Sequence, residues 1–162
     1  MNFQNNRQHV PCPCGNLDSF QHCCSAYIFA EKTPMTAEAL MRSRFSAYAM
    51  RAYQYIIDTY HQSTRPSISA QTLALEDLDT RWLMLNVIEC VNSEEYAFVR
   101  FKAFREHCGQ YYCLHENSRF VNQRNRWFYL DGTIFADSGI VKPKRNAPCL
   151  CGSGKKFKQC CG

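Results

Sequence analysis

The chain contains no apolar run close to the ~20 residues that a helix needs to cross a bilayer. Its first ten residues, MNFQNNRQHV, also lack the apolar segment and the charged start of a secretory signal peptide. These two absences argue against a membrane protein and against export. We therefore expect a cytoplasmic protein without a membrane partner, whose thiols stay reduced.

Acidic side chains are absent from the last 21 residues of the 162-residue chain. Residues 1–141 hold 13 basic and 14 acidic side chains, whereas residues 142–162 hold six basic side chains and no acidic one, so the formal net charge of +5 arises entirely at the C-terminal end. This distribution predicts a local basic patch and argues against a large nucleic-acid-binding face. Direct RNA binding through this end remains a weaker alternative, which would predict an affinity that falls steeply with salt.

Cysteine, by contrast, is abundant, and eight of the eleven cysteines form a repeated pattern. CPCGNLDSFQHCC (12–24) and CLCGSGKKFKQCC (149–161) both read Cys-x-Cys-x8-Cys-Cys, and the second copy lies 137 positions after the first. An odd cysteine count, adjacent cysteines and a reducing compartment all argue against disulfides. The repeats therefore predict metal sites with the following ligands: Cys12, Cys14, Cys23 and Cys24 in the first, and Cys149, Cys151, Cys160 and Cys161 in the second.

Zinc is the metal that four thiolates favour, so we expect two zinc ions per chain; an iron–sulfur cluster is a weaker alternative. Four thiolates fill a tetrahedral shell, whereas a catalytic zinc keeps one position open for water. These sites are therefore expected to be structural, and in segments this short metal binding itself drives folding. No catalytic residue is assigned.

The second repeat, PCLCGSGKKFKQCC, resembles the SEC-C motif, the zinc-binding tail of the SecA preprotein translocase. The first, PCPCGNLDSFQHCC, resembles the same motif in a divergent form, with Leu17, Asp18 and Ser19 in place of the Gly-Lys-Lys triplet. SEC-C tails are associated with partner docking, notably to the SecB chaperone. The resemblance therefore implies a protein partner, such as a SecB-like chaperone or the translation or secretion machinery.

The middle of the chain changes from helical to strand-like periodicity near Thr80. Thr36 is a good N-cap for the apolar 3–4 spacing of TAEALMRSRFSAYAMRAYQYIIDTYH, which predicts one long helix or two joined by a kink, and ISAQTLALEDLD predicts a short further helix. Four segments rich in aromatic and β-branched residues follow, separated by short turn-like breaks: RWLMLNVIECV, EYAFVRFKAFRE, QYYCLHENSRFVNQ and RWFYLDG. This order predicts an α+β fold with helices packed on an antiparallel sheet.

ALMRSRFSAY, HENSRF and RWFYLDG, between two SEC-C-like ends, resemble the YchJ family of uncharacterised bacterial proteins. That resemblance implies a middle domain like nuclear transport factor 2, a curved cone-like sheet wrapped on helices. We expect an N-terminal zinc knuckle at 1–30, the α+β domain at 31–141 and a C-terminal zinc knuckle with its basic tail at 142–162.

A cone of this kind has a hollow, and polar side chains of the predicted helix and strands are candidates to line it. The candidates are Arg42, Arg44, Tyr48, His115, Glu116, Arg119 and Trp127. Strand alternation places His115 and Arg119 on one face and Glu116 on the other, so these three cannot all point inward without a bulge. A buried polar network that ties helix to sheet is the alternative interpretation.

Two functions follow from these features. The first is a zinc-binding, non-enzymatic interaction module, in which Lys155, Lys156 and Lys158 contact a protein or ribonucleoprotein partner. In the alternative, these lysines only offset the negative charge of the adjacent thiolate site. The second function is a small-molecule binder or an enzyme that uses a pocket around His115, Arg119 and Arg42.

Overall fold

A computed structural model describes residues 10–162, and the first nine residues of the predicted N-terminal unit lie outside that range. The described chain forms one antiparallel sheet with helices on one face. Four strands follow one another in the order of the chain, as β1 (Thr80–Asn92), β2 (Tyr96–His107), β3 (Gln110–Gln123) and β4 (Arg126–Ile134). The predicted α+β fold with an antiparallel sheet is confirmed.

Two-residue turns join β2 to β3 and β3 to β4. Their central residues, Cys108–Gly109 and Arg124–Asn125, all have positive φ, between 50° and 76°. This is the turn type whose twist matches that of the flanking strands, and it fixes the register of both hairpins. As a result β3 follows the predicted segment 110–123 from end to end.

A short fifth strand, β5 (Gly139–Val141), was not predicted from the sequence. It pairs with Tyr111–Cys113 of β3, beyond the end of β4, whose pairing with β3 stops at Glu116. Because β3 extends beyond β4, its residues Tyr111–Cys113 have no partner in β4. Strand β5 pairs with them before the chain continues to the C-terminal repeat.

The predicted helical region consists of two helices, α2 (Ala37–Ala49) and α3 (Tyr53–Asp58), after a single turn, α1 (Ser25–Ile28). The side chain of Thr36 caps α2 by accepting a hydrogen bond from the Ala39 amide, at 3.1 Å. The break falls at Arg51, whose φ of 60° cannot continue a right-handed helix. The further helix, α4 (Ala70–Glu76), begins after the capping side chain of Ser69.

The main core lies between α2 and the inner face of the sheet. The helix contributes Leu40, Met41 and Phe45, which pack against alternate residues of the strands. The strand residues of this core are Leu85, Ala97, Val99, Phe101, Ala103, Phe120 and Trp127. Among residues 10–162, no helix combines the length and the apolar character that crossing a membrane requires.

The two cysteine repeats approach β1 at neighbouring residues but on different sides. A methyl group at Gly15 would lie 3.5 Å from the carbonyl oxygen of Leu85, and one at Gly152 would lie 3.1 Å from Sδ of Met84. Leu85 belongs to the inner core, whereas Met84 pairs with Phe104, which itself pairs with Cys113 on the outer face. Strand β1 therefore separates the two repeats.

Candidate metal centres

The two repeats, which we call the N-terminal knuckle (10–24) and the C-terminal knuckle (147–161), have the same backbone structure. Cys12 N donates to Asp18 O at 3.1 Å, and the equivalent Cys149 N donates to Lys155 O at 2.8 Å. Isolated β-bridges join Pro11 to Ser19 and Pro148 to Lys156, again 137 residues apart. Each knuckle then forms a short 3₁₀-helix, Phe20–His22 or Phe157–Gln159, which leads into the second cysteine pair.

A glycine directly after the second cysteine closes each knuckle. Gly15 and Gly152 have φ values of 84° and 75°, a conformation that side chains with a Cβ rarely adopt. Their amides donate to the carbonyl oxygens of Cys12 and Cys149 at 3.2 and 3.1 Å. This tight turn places both sulfur atoms of each Cys-x-Cys pair on the same side of the chain.

The sulfur atoms of each knuckle are arranged to surround one ion. Within each group of four, the sulfur atoms all lie within 4.8 Å of one another. Pairs such as Cys14–Cys23 and Cys23–Cys24 are 3.6 and 3.8 Å apart, and Cys151–Cys160 are 3.4 Å apart. A tetrahedron with Zn–S bonds of about 2.3 Å has edges of about 3.8 Å, so the donor set fits a four-thiolate metal site.

In each knuckle, hydrogen bonds among the thiols stabilise one thiolate, while the pKa values of neighbouring thiols such as Cys24 and Cys161 rise. Hydrogen bonds from Cys14 and Cys24 hold the pKa of the Cys12 thiol well below its usual range. In the C-terminal knuckle, burial raises the pKa of Cys151, but hydrogen bonds from Ser153 and the other thiols outweigh this effect and lower it to about 6.

Helix α2 holds the N-terminal knuckle in place. Arg42 donates from Nη1 to the carbonyl oxygen of Cys14 at 2.9 Å and from Nε to Glu38 at 2.8 Å. Cys12 Sγ lies 3.6 Å from Oγ of Ser46. Phe20 is buried among the cysteines and covers the site.

The C-terminal knuckle is attached through the outer face of the sheet. Tyr111 of β3 donates its hydroxyl hydrogen to the carbonyl oxygen of Cys161 at 2.8 Å. The rings of Tyr111 and Phe157 meet edge to face with centroids 5.3 Å apart. Phe157 therefore packs between its knuckle and the sheet, unlike its counterpart Phe20.

The two centres differ in exposure. Cys14 and Cys24 are 0% and 1% exposed, whereas Cys160 lies on the surface and Cys151 and Cys161 are half-buried. All eleven cysteines of the chain lie in the described part, and none forms a disulfide there. Solvent therefore reaches the C-terminal centre more easily.

Comparison with known proteins agrees with this architecture. The family model "YchJ, middle NTF2-like domain" matches residues 36–132, and the SEC-C motif model matches residues 145–162. The chain belongs to the YchJ family. A UPF0225 protein of Vibrio cholerae is 39% identical over 155 residues, which cover 94% of this chain and 100% of the relative. A UPF0225 protein of Photorhabdus laumondii is 41% identical over 157 residues, covering 93% and 98%.

Two solved structures resemble this YchJ family chain. A SEC-C motif containing protein from Rhodopseudomonas palustris has a TM-score of 0.72 and 27% identity, and the match covers 78% of this chain and 99% of that one. A SEC-C motif containing protein from Psychrobacter arcticus has a TM-score of 0.66 and 29% identity, with 96% of each chain covered.

The YchJ-like sheet also forms a cavity of about 360 Å³ that is partly open to solvent, between its inner face, α2 and α4. Of the seven candidate pocket residues, three line this cavity: Arg44, Tyr48 and Glu116. Sequence reasoning missed Asp77, Trp82 and Tyr129, which also line it. Alternation along β4 could have indicated Tyr129, which lies two residues from the core residue Trp127.

The other four candidates lie elsewhere, so the predicted pocket around His115, Arg119 and Arg42 is corrected. Arg42 contacts the N-terminal knuckle, and Trp127 fills the core while donating from its indole nitrogen to Met35 O at 3.1 Å. His115 and Arg119 lie on the outer face, because β3 pairs with β2 without a bulge and strict alternation turns both away from Glu116.

Both outer-face residues have carboxylate partners. His115 Nδ1 lies 2.6 Å from Oδ1 of Asp137, and its ring stacks on Phe135 with centroids 4.2 Å apart. Arg119 donates to Asp131 from Nε at 3.0 Å and from Nη2 at 2.5 Å. These contacts join β3 to β4 and to the segment before β5, which is a structural role.

Proposed function

We propose that the protein is a zinc-binding, non-enzymatic interaction module that docks a partner through its C-terminal knuckle. The main support for this proposal is that the two knuckles have the same backbone structure but differ in burial and in surface charge. One is buried against α2, and the other presents exposed lysines beside its sulfur atoms.

Zinc is the ion that fits both centres best, with one ion in each. Four sulfur donors select a soft or borderline metal. Sulfur atoms within 4.8 Å of one another enclose a single ion and leave no room for a polynuclear iron–sulfur cluster. With Zn²⁺ in both sites, each four-thiolate centre carries a charge of −2, and the formal net charge of the chain falls from +5 to +1.

The lysines of the C-terminal knuckle have no counterparts in the N-terminal one. Lys155, Lys156 and Lys158 are equivalent to Asp18, Ser19 and Gln21 under the 137-residue offset. If the lysines served only to offset thiolate charge, the N-terminal centre would need them equally, because its four thiolates carry the same charge. Their restriction to the exposed copy supports a docking role.

Basic side chains continue into the segment before the knuckle. Lys142, Lys144 and Arg145 are exposed, as are the three knuckle lysines. None of the six forms a salt bridge with any of residues 10–162. Such a patch attracts an acidic surface and speeds its association. A cytoplasmic protein, such as a SecB-like chaperone or a component of the translation or secretion machinery, is the partner we propose.

Charge reversal at two lysines tests this proposal. The variant K155E/K156E should keep its two zinc ions but lose at least tenfold in affinity for purified SecB, measured by titration calorimetry at low and high salt. K32E/R65E is the matched control, because it makes the same change in net charge at exposed residues outside the C-terminal knuckle.

The control should bind as the wild type does. Equal binding by all three proteins would contradict a role for the lysines. If wild-type protein instead binds single-stranded RNA with a steep salt dependence and ignores SecB, the partner is a nucleic acid and the protein-docking proposal is wrong.

A further inference from the structure

Three buried charged groups line the cavity between the helices and the sheet: Arg44, Asp77 and Glu116. Asp77 accepts hydrogen bonds from Tyr53 and Trp82 through both carboxylate oxygens, whereas Arg44 and Glu116 each keep polar atoms without a partner among residues 10–162. Arg44 and Glu116 are only 5% and 8% exposed. Both are described residues, yet neither forms an ion pair with the other or with any of residues 10–162. An uncompensated buried charge is costly, so its position beside a cavity needs an explanation.

Arg44 is held rigidly with part of its hydrogen-bonding capacity free. Its Nη1 donates to Ile56 O at 2.9 Å and to Thr59 Oγ1 at 2.6 Å. The rings of Tyr60 and Tyr129 contact the guanidinium, with centroids 4.6 and 4.7 Å from Cζ. The N–H groups on Nε and Nη2 have no acceptor among the described residues, and this fork of donors matches a carboxylate.

Glu116 is fixed in a similar way through one oxygen only. Oε1 accepts hydrogen bonds from Ser118 Oγ at 2.5 Å and from Tyr129 OH at 3.0 Å. Within residues 10–162, Oε2 has no hydrogen-bond donor. Tyr129 thus contacts both charges, the guanidinium through its ring and the carboxylate through its hydroxyl group.

Most of the remaining wall is apolar, although half-buried Arg105 and exposed Glu76 also line the cavity. Phe45, Trp82 and Leu114 line the cavity alongside Ala103. The Tyr48 hydroxyl also faces it and forms no hydrogen bond to the described residues, and burial raises the pKa of Tyr48 to about 12, so the group remains a neutral donor. The cavity, at about 360 Å³, falls at the small end of the range for ligand sites.

We propose that this cavity binds a small zwitterion with an apolar body, such as an apolar amino acid. The ligand carboxylate pairs with the free donors of Arg44 and with the Tyr48 hydroxyl, and its ammonium group pairs with Oε2 of Glu116. The apolar body packs on Phe45, Trp82 and Leu114. A ligand with one charge satisfies only one of the two buried groups, so both charges are required for strong binding.

The test uses zinc-loaded full-length protein and three probes: L-phenylalanine, 3-phenylpropionate and 2-phenylethylamine. NMR titration reports binding through the indole N–H of Trp82 and the methyl groups of Leu114 and Met41, which line the cavity. L-Phenylalanine should bind at least tenfold more tightly than either singly charged analogue. Equal binding of all three, or no shift of these signals at millimolar concentration, would overturn the proposal.

Because substitution of buried Arg44 could unfold the chain, the site is tested with three variants at other residues. Glu116→Gln keeps an acceptor for Ser118 and Tyr129 but removes the charge, so it should abolish the preference for L-phenylalanine over 3-phenylpropionate. Tyr48→Phe should weaken binding about threefold to tenfold, because one hydrogen bond is lost. Ala103→Leu fills the cavity and should abolish binding, with zinc content unchanged. Wild-type affinity in Glu116→Gln, or in a folded Ala103→Leu, would contradict this site.

Discussion

The carboxylate of Glu116, which forms part of the polar wall of the cavity, occupies space that is free only because residue 132 is glycine. A Cβ atom at Gly132 would lie 2.0 Å from Oε1 of Glu116, so the carboxylate occupies space that only glycine leaves open. The carboxylate reaches the hydroxyl groups of Ser118 and Tyr129 from this position. Gly132 is therefore required by a neighbouring side chain.

Gly132→Ala should destabilise the protein by about 1–3 kcal/mol, because the carboxylate of Glu116 must leave its hydrogen bonds while still buried. Urea unfolding of zinc-loaded protein measures this loss. The substitution should cost far less in a Glu116→Ala background, where the space is free. If the cost is the same in both backgrounds, the close contact does not determine the effect.

Residue positions were predictable where strand alternation decides them. Alternation alone separates Glu116 from His115 and Arg119, and the structure has them on opposite faces. It could not show which inward residues line the cavity and which fill the core, because that depends on how α2 and α4 cover the sheet. For this reason the sequence places Trp127 among the cavity candidates, although the residue lies in the core.

At the scale of elements, the two knuckles share a backbone and differ in what surrounds them. The N-terminal knuckle is covered by α2, whereas the C-terminal knuckle is attached through Tyr111 with much of its metal site exposed. A chelator must reach the metal or a sulfur atom to remove the ion. The difference in burial therefore predicts two different rates of zinc loss.

Zinc release to a chromophoric chelator should show two phases, with the C-terminal ion released first. The variant C160S/C161S should lack the fast phase and keep the slow one. Because Cys14 and Cys24 are almost fully buried, alkylation followed by mass mapping should label the C-terminal cysteines before them. A fast phase that persists in C160S/C161S would show that exposure does not control release.

The contact between Arg42 and the N-terminal knuckle gives a second prediction at this scale. Arg42→Gln should destabilise zinc-loaded protein by about 1–2 kcal/mol and speed hydrogen exchange in residues 12–24, because the carbonyl oxygen of Cys14 loses a charged donor. Glu38→Gln is the control: it removes a half-exposed i,i+4 pair, which contributes about 0.5 kcal/mol or less. Equal effects of the two changes would contradict the anchoring role.

The strands were largely predictable from sequence; the helical pattern allowed one long helix or two joined by a kink, but it did not give the position of the break. Period-two patterns and turn residues gave the meander because each pattern is local. The break between α2 and α3 occurs at Arg51, a residue with no glycine or proline beside it, and its guanidinium donates to Leu78 O at 3.2 Å. A contact 27 residues away leaves no signal in the local sequence.

For the whole molecule, β1 connects three features that the sequence shows only as separate segments. Leu85 and Met84 lie next to the N-terminal and C-terminal knuckles, and Trp82 lines the cavity. The cysteine spacing alone predicted both ligand sets. It could not show that one knuckle would be covered and the other exposed, since that depends on where β1 and α2 lie.

The number of zinc ions per chain decides whether each knuckle is a metal site, because the structure of both knuckles depends on bound metal. Native mass spectrometry of protein purified without chelator or added metal should find two zinc ions per chain, and one ion in each of C23S/C24S and C160S/C161S. A wild-type chain with one ion or none, or with iron in place of zinc, would contradict the presence of a four-thiolate zinc centre in each knuckle.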